Sequence, residues 1–173
     1  IFSRLSLANP DNADYRQDLG ITHRRLAHIH NERGDFSKAE QSHRRSHELY
    51  MMNVHARPDD VRRMHHAAWQ SCRLGEFLLE QNRVDEGQEM ILLGTRQAVK
   101  ACALEPNDGM QRTAVRTLVP WACEELSKAG RLESAEGIRR HALLALQPVV
   151  EVNPQNESLN EVLATIFAIG FDN

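Results

Sequence analysis

Asn9-Pro10-Asp11-Asn12, Arg57-Pro58-Asp59-Asp60, Glu105-Pro106-Asn107-Asp108 and Asn153-Pro154-Gln155-Asn156 set a proline among polar residues at four points, each 48 residues from the last. A second marker travels in register with them: Gly34-Asp35-Phe36, Asn82-Arg83-Val84 and Gly130-Arg131-Leu132. Small residues follow at Ala39, Gly87 and Ala135, and again at Ser46, Gly94 and Ala142. A fixed period of this kind is the mark of a repeat architecture. Proline cannot continue a helix interior, so it separates one unit from the next. The Asn or Asp two residues later is placed to cap the helix that follows. Glycine, or less comfortably asparagine, takes the left-handed conformation that ends a helix and reverses the chain. Each unit then reads helix A, tight turn, helix B, proline loop, with the small side chains letting the two helices approach closely.

The apolar pattern agrees. Leu19, Leu26 and His30 correspond to Ala67, Leu74 and Leu78, then to Val115, Ala122 and Leu126. Spacings of seven and four put each set on one helical face and predict equivalent buried positions. We expect helices over 12–33, 36–55, 60–81, 84–103, 109–129, 132–151 and 157–169, most of them about 30 Å long at 1.5 Å rise per residue. Pro120 and Pro148 fall inside two of them and predict a kink or an interruption. No sustained alternation of period two occurs. The expected fold is therefore all-α: an α-solenoid of about seven helices in stacked antiparallel pairs, forming a right-handed superhelical array. Residues 1–8 read as the end of a preceding helix, 9–56, 57–104 and 105–152 as three repeats, and 153–173 as a partial repeat or capping helix. Ile1 aligns with Leu49 in the middle of a helix B, so the chain reads as a fragment of a longer protein.

Composition narrows the class. At 41% hydrophobic and 26% charged residues, the 173-residue chain has the make-up of a globular domain. The longest apolar run, near Ala164 to Gly170, is too short to span a bilayer. Twenty-one basic against 24 acidic residues give a net charge of −3, which argues against a nucleic-acid partner. Cys72, Cys102 and Cys123 form no C-x-x-C pair, so a reducing, cytoplasmic setting is expected rather than a disulfide or zinc framework.

Gly34-Asp35-Phe36-Ser37-Lys38-Ala39 and Gly130-Arg131-Leu132-Glu133-Ser134-Ala135 resemble the second-half signature of the tetratricopeptide repeat (TPR), and Leu74-Gly75 resembles its helix A pair. Leu26-Ala27 is a close variant of that pair, and Asn82 and Gly87 depart from the signature in the middle unit. The usual TPR unit is about 34 residues, so a 48-residue period implies longer helices. It is similar to the long-helix arrays of bacterial signalling proteins, often joined to kinase or other regulatory domains. The resemblance implies a concave wall built from helix A residues. That wall takes in Ile21, Arg24, Arg25 and His28; Trp69, Cys72, Arg73, Glu76 and Glu80; and Thr117, Trp121, Glu124 and Lys128. The family's clamp for C-terminal carboxylates uses a Lys/Asn/Arg set. Only Arg24, Arg25 and Arg73 match it in type, and the Asn positions do not.

Chemistry of other kinds is sparse. His43 and His47 are spaced i,i+4, but no third ligand stands at a useful spacing, so no metal site and no cofactor are expected. Phosphate loops, nucleophile elbows and paired-carboxylate motifs are missing, and we expect no enzyme within this chain. Two readings stand for Arg24, Arg25 and Arg73: a solvated helix face with i,i+4 partners, or a basic groove for an acidic or phosphorylated peptide. The expected function is a protein-interaction module with a peptide or partner domain in that groove. Its contact set is Arg24, Arg25, His28, Trp69, Arg73, Glu76 and Trp121. A structural spacer or dimerising arm is the alternative, and the sequence does not fix an oligomeric state.

Overall fold

Asn12, Asp60, Asp108 and Asn156 each turn a side-chain oxygen onto backbone N–H groups of the helix they precede, with donors at Asp14 and Tyr15, Arg63, Met110 and Leu159. These are the residues that the proline spacing selects as caps. The computed structural model describes residues 12–170 of the chain, so the expectation for residues 1–8 lies outside the described residues. Among the described residues every regular element is a helix: α1 Ala13–Glu32, α2 Phe36–Ala56, α3 Val61–Glu80, α4 Val84–Leu104, α5 Gly109–Lys128, α6 Leu132–Glu151 and α7 Glu157–Phe167. Most of the expected boundaries fall within two residues of these.

Each A–B turn closes in the same way. Gly34, Asn82 and Gly130 have φ of 75°, 59° and 74°. Their N–H groups donate to the carbonyls of Asn31, Leu79 and Ser127, and the next residues donate to His30, Leu78 and Leu126. This pair of bonds satisfies carbonyls that a helix end leaves open. It reverses the chain within three residues, so α1 and α2, α3 and α4, and α5 and α6 are antiparallel pairs. The array grows by packing α3 on α2, α5 on α4 and α7 on α6, with further seams between α3 and α5, α5 and α7, and α4 and α6.

Small residues set the spacing inside a pair. A β-carbon added at Gly94 would lie 2.6 Å from the Ala68 carbonyl oxygen, and one at Gly87 would lie 2.9 Å from that of Gly75. In the first unit Ser46 stands where Gly94 does, and its hydroxyl donates to the Gly20 carbonyl at 2.8 Å. In the third, Cys123 stands where Gly75 does, and its thiol donates to the Ala135 carbonyl at 3.3 Å. Ala39, Gly87 and Ala135 are all buried, as their column predicts.

Two expectations need correction. Leu74 and Ala122 are buried, but Leu26 is 39% exposed. Leu74 is covered by the helix B of the preceding unit, where it clusters with Ala39. Among the described residues no helix precedes α1, so Leu26 has no such cover, and its neighbour Ala27 is the buried member of the pair. Of the kink or interruption expected at Pro120 and Pro148, the interruption does not occur, since α5 and α6 run through both. The carbonyls that lose an N–H partner belong to Arg116 and Leu144. Both residues are exposed, so water can take the place of the missing donor.

The core is uneven along the array. A continuous apolar cluster runs from Ala68 and Cys72 through Val115, Leu118 and Leu146 to Leu159 and Ile166. The first unit joins it through two smaller clusters, one around Tyr50, Val54 and Met64, the other around Ala39 and Phe77. Polar bonds supplement them. Buried Arg16 donates to Asn53 Oδ1 at 2.7 Å, and Asn53 Nδ2 donates to the Ala13 carbonyl at 3.1 Å. Arg63 Nη1 donates to the backbone carbonyl of Asn53 at 3.2 Å, so α1, α2 and α3 meet at one residue. On the far side Arg44 pairs with Glu40 at 2.8 Å and with Glu86 at 2.9 Å, and Arg83 pairs with the same two carboxylates.

Candidate functional site: the groove between α1 and α3

Where α3 packs on α5 and α5 on α7, no comparable seam joins α1 to α3. A groove of ≈ 600 Å³ lies there instead. Its α1 wall carries Arg24, Arg25, His28, Ile29 and Asn31, its α3 wall carries Arg73, Glu76, Phe77 and Glu80, and α2 contributes His43. Five of the seven residues expected to contact a partner, Arg24, Arg25, His28, Arg73 and Glu76, therefore come together.

Arg24, Arg25 and Arg73 are exposed. Among the described residues no carboxylate lies within ion-pair distance of any of them, and no hydrogen bond engages their guanidinium groups. The i,i+4 partners that would make them an ordinary solvated face are not there. The contrast is with Arg44, Arg63, Arg83 and Arg139, each of which holds a carboxylate at 3.0 Å or less. Glu76 and Glu80 likewise have no cation within ion-pair distance. Burial, and after it the neighbouring Glu80 carboxylate, push the Glu76 carboxyl above its usual range, and Arg73 opposes them. His28 pairs with Glu32 at 3.2 Å.

The base of the groove is apolar. The His43 ring lies 5.2 Å from that of Phe77, tilted by 34°. Gln70 Nε2 donates to the His43 carbonyl at 3.4 Å and lies 3.5 Å from Nδ1. Burial, then Arg73 and His28, hold the His43 imidazole down to about 4. Near neutral pH His43 is therefore an uncharged surface beneath charged walls.

Seven of the thirteen expected wall residues lie elsewhere: Ile21, Trp69, Cys72, Thr117, Trp121, Glu124 and Lys128. Cys72 is 2% exposed and belongs to the core; the thiol sits where α3 meets α4, so it cannot line a concave face. Trp69 is half-buried against the same core, with its ring 6.3 Å from His65. Trp121 is half-buried against that core as well, where α5 packs on α3, and Glu124 and Lys128 line a separate pocket of ≈ 650 Å³ between α5 and α7. Neither indole enters the groove. Conversely, Ile29, Phe77, Asn31 and His43 line it and were not among the expected contacts. The signal for the first two was available, because Ile29 and Phe77 are an apolar pair 48 residues apart beside the charged wall.

Burial pushes the thiols of Cys72, Cys102 and Cys123 up to about 12, 11 and 11, and all three are free. They have no nucleophilic use in that state. Among the described residues no three His, Cys, Asp or Glu side chains converge as metal ligands, and no helix is long and apolar enough to cross a membrane. No family model, no curated protein and no solved structure matches the chain.

Proposed function

We propose that the chain is a TPR-like interaction module that binds an extended peptide segment of a partner protein in the groove between α1 and α3. The observation that carries this reading is the set of three unpaired guanidinium groups, from two helices, above the Phe77–His43 base. Exposed like charges repel, and a carboxylate or phosphate between the two walls relieves that repulsion with bidentate hydrogen bonds. Ile29, which is 40% exposed, supplies the apolar contact that a charged groove alone lacks, with buried Phe77 beneath the His43 ring as its support. The 48-residue period supports a place within a larger bacterial signalling protein, and the buried free thiols fit a cytoplasmic one.

Fluorescence anisotropy against a panel of labelled acidic peptides tests the reading. Arg24→Ala with Arg73→Ala should weaken binding by about tenfold or more and leave the melting temperature within about 2 °C, because neither side chain bonds to another part of the protein. Affinities unchanged in that double variant would refute the assignment. So would a fall in melting temperature that matches the loss of binding, since the arginines would then be holding the array together.

A further inference from the structure

The groove carries both signs of charge, and they are sorted along its length. Residues 33–35 and 57–60 are the only links between α1, α2 and α3, so α1 and α3 run in the same direction along the groove. The 48-residue register then sets equivalent positions at the same height: Arg25 with Arg73, Ile29 with Phe77, and Glu32 with Glu80. Guanidinium groups therefore mark the end nearer the helix N-termini, Glu76 and the Ile29–Phe77 pair lie in the middle, and the unpaired carboxylate of Glu80 lies at the end nearer the Gly34 and Asn82 turns. Seven residues separate Arg73 from Glu80, a rise of about 10 Å. Three residues of an extended peptide cover the same distance, about 10 Å.

Arg73 and Glu76 sense one another one turn apart without forming an ion pair, and Glu80 lies a further turn away, so neither sign of charge in the groove has a partner within ion-pair distance. A uniformly acidic ligand satisfies one end and is repelled by the other. Building on the peptide-binding reading, we infer that the groove recognises a segment of mixed charge: an acidic side chain at Arg24, Arg25 and Arg73, an apolar one over the exposed Ile29, and a basic one about three residues along at Glu80, with Glu76 beside its path. An acid–apolar–base triplet of this kind is a much narrower ligand class than an acidic peptide. It also places the partner segment in one register.

The test uses the whole chain and labelled peptides with Gly-Ser flanks around Asp-Leu-Ala-Lys, the reversed Lys-Ala-Leu-Asp, and the all-acidic Asp-Leu-Ala-Asp. The better of the two mixed-charge peptides should bind at least about fivefold more tightly than the all-acidic one, the size of a single screened charge contact. Glu76→Gln with Glu80→Gln should abolish that preference, and the exposed Glu80→Gln alone should reduce it even if the half-buried Glu76 site tolerates change poorly. All-acidic peptide binding as tightly as both mixed peptides would overturn the inference while leaving the peptide-binding reading intact. Failure of every peptide to bind, or affinities insensitive to Arg24→Ala with Arg73→Ala, would overturn both.

Discussion

Gly94 and Gly137 both lie inside helices, and alanine should move the stability in opposite directions at the two positions. Removing glycine from a helix interior is worth up to about 1 kcal/mol of helix propensity. At Gly137 nothing lies within 4 Å of the added methyl group, so that gain is realised in full. At Gly94 the same methyl would stand 2.6 Å from the Ala68 carbonyl oxygen, 2.6 Å from Cys72 Sγ and 3.1 Å from the Cys72 nitrogen. Ordinary contacts with carbon are about 3.5 Å or longer, so α3 and α4 must separate by nearly 1 Å. Two of the three obstructing atoms are backbone and cannot rotate away. Overpacking of this kind costs about 1–3 kcal/mol, which outweighs the propensity gain and leaves a net loss of about 1–2 kcal/mol. In a domain of this length each kcal/mol shifts the midpoint by about 2–4 °C. Gly94→Ala should therefore melt about 2–8 °C lower, and Gly137→Ala about 1–4 °C higher. Circular dichroism melts at one scan rate, checked by urea midpoints, read both. A Gly94→Ala protein as stable as the parent would refute the close approach of α3 and α4 on which the repeat reading rests.

Acid should loosen the protein through His43. Its neutral form is favoured on folding, so the stability it contributes is complete above about pH 6.5 and is lost as the pH falls toward about 4. His23, His47, His65, His66 and His141 are held down too, chiefly by burial, and act in the same direction. His43→Gln should remove about 1–2 kcal/mol of the change in urea stability between pH 7 and pH 5; an unaltered pH profile would show that His43 does not carry it. Asn53→Leu takes the acceptor at 2.7 Å from the buried Arg16 guanidinium and should cost about 1.5–3 kcal/mol in urea denaturation. Pairing it with Arg16→Met should recover part of that loss, and a double variant no better than the single one would refute the coupling.

The repeat was legible because its markers are backbone requirements. A left-handed turn at 34, 82 and 130, a cap two residues after each proline and a small residue at 39, 87 and 135 leave little choice of side chain, so they stand out in one sequence. Position 26 was misread because burial in a repeat depends on the neighbouring unit as well as on the helix itself. Leu26 and Leu74 share a face, and among the described residues a preceding helix B covers Leu74 but not Leu26. The tryptophans failed for a related reason. Trp69 lies on the same helix face as Arg73, four residues earlier, but a large apolar ring at that height finds the core before it finds solvent. Nothing in the spacing announced His43, because it comes from helix B and enters the groove only once α2 is seated behind α1 and α3.

Why α1 stands off α3, where α3 and α5 and α5 and α7 are in contact, follows from one column of the repeat. Arg24, Cys72 and Pro120 are 48 residues apart. Cys72 is small and apolar, and it can be buried where α3 meets α4 and α5. A guanidinium cannot occupy such a place without a partner, since burying an unpaired charge costs far more than the contact returns. Arg25 opposite Arg73 adds a like-charge pair one residue further on. α1 is therefore held off α3 by its own side chains, and the first unit stays attached through α2 by the Arg16–Asn53–Arg63 bonds and the Arg44–Glu86 pair. The residues that keep the seam open are the same ones that line it with charge, so the groove and its charged walls arise from a single departure from the repeat.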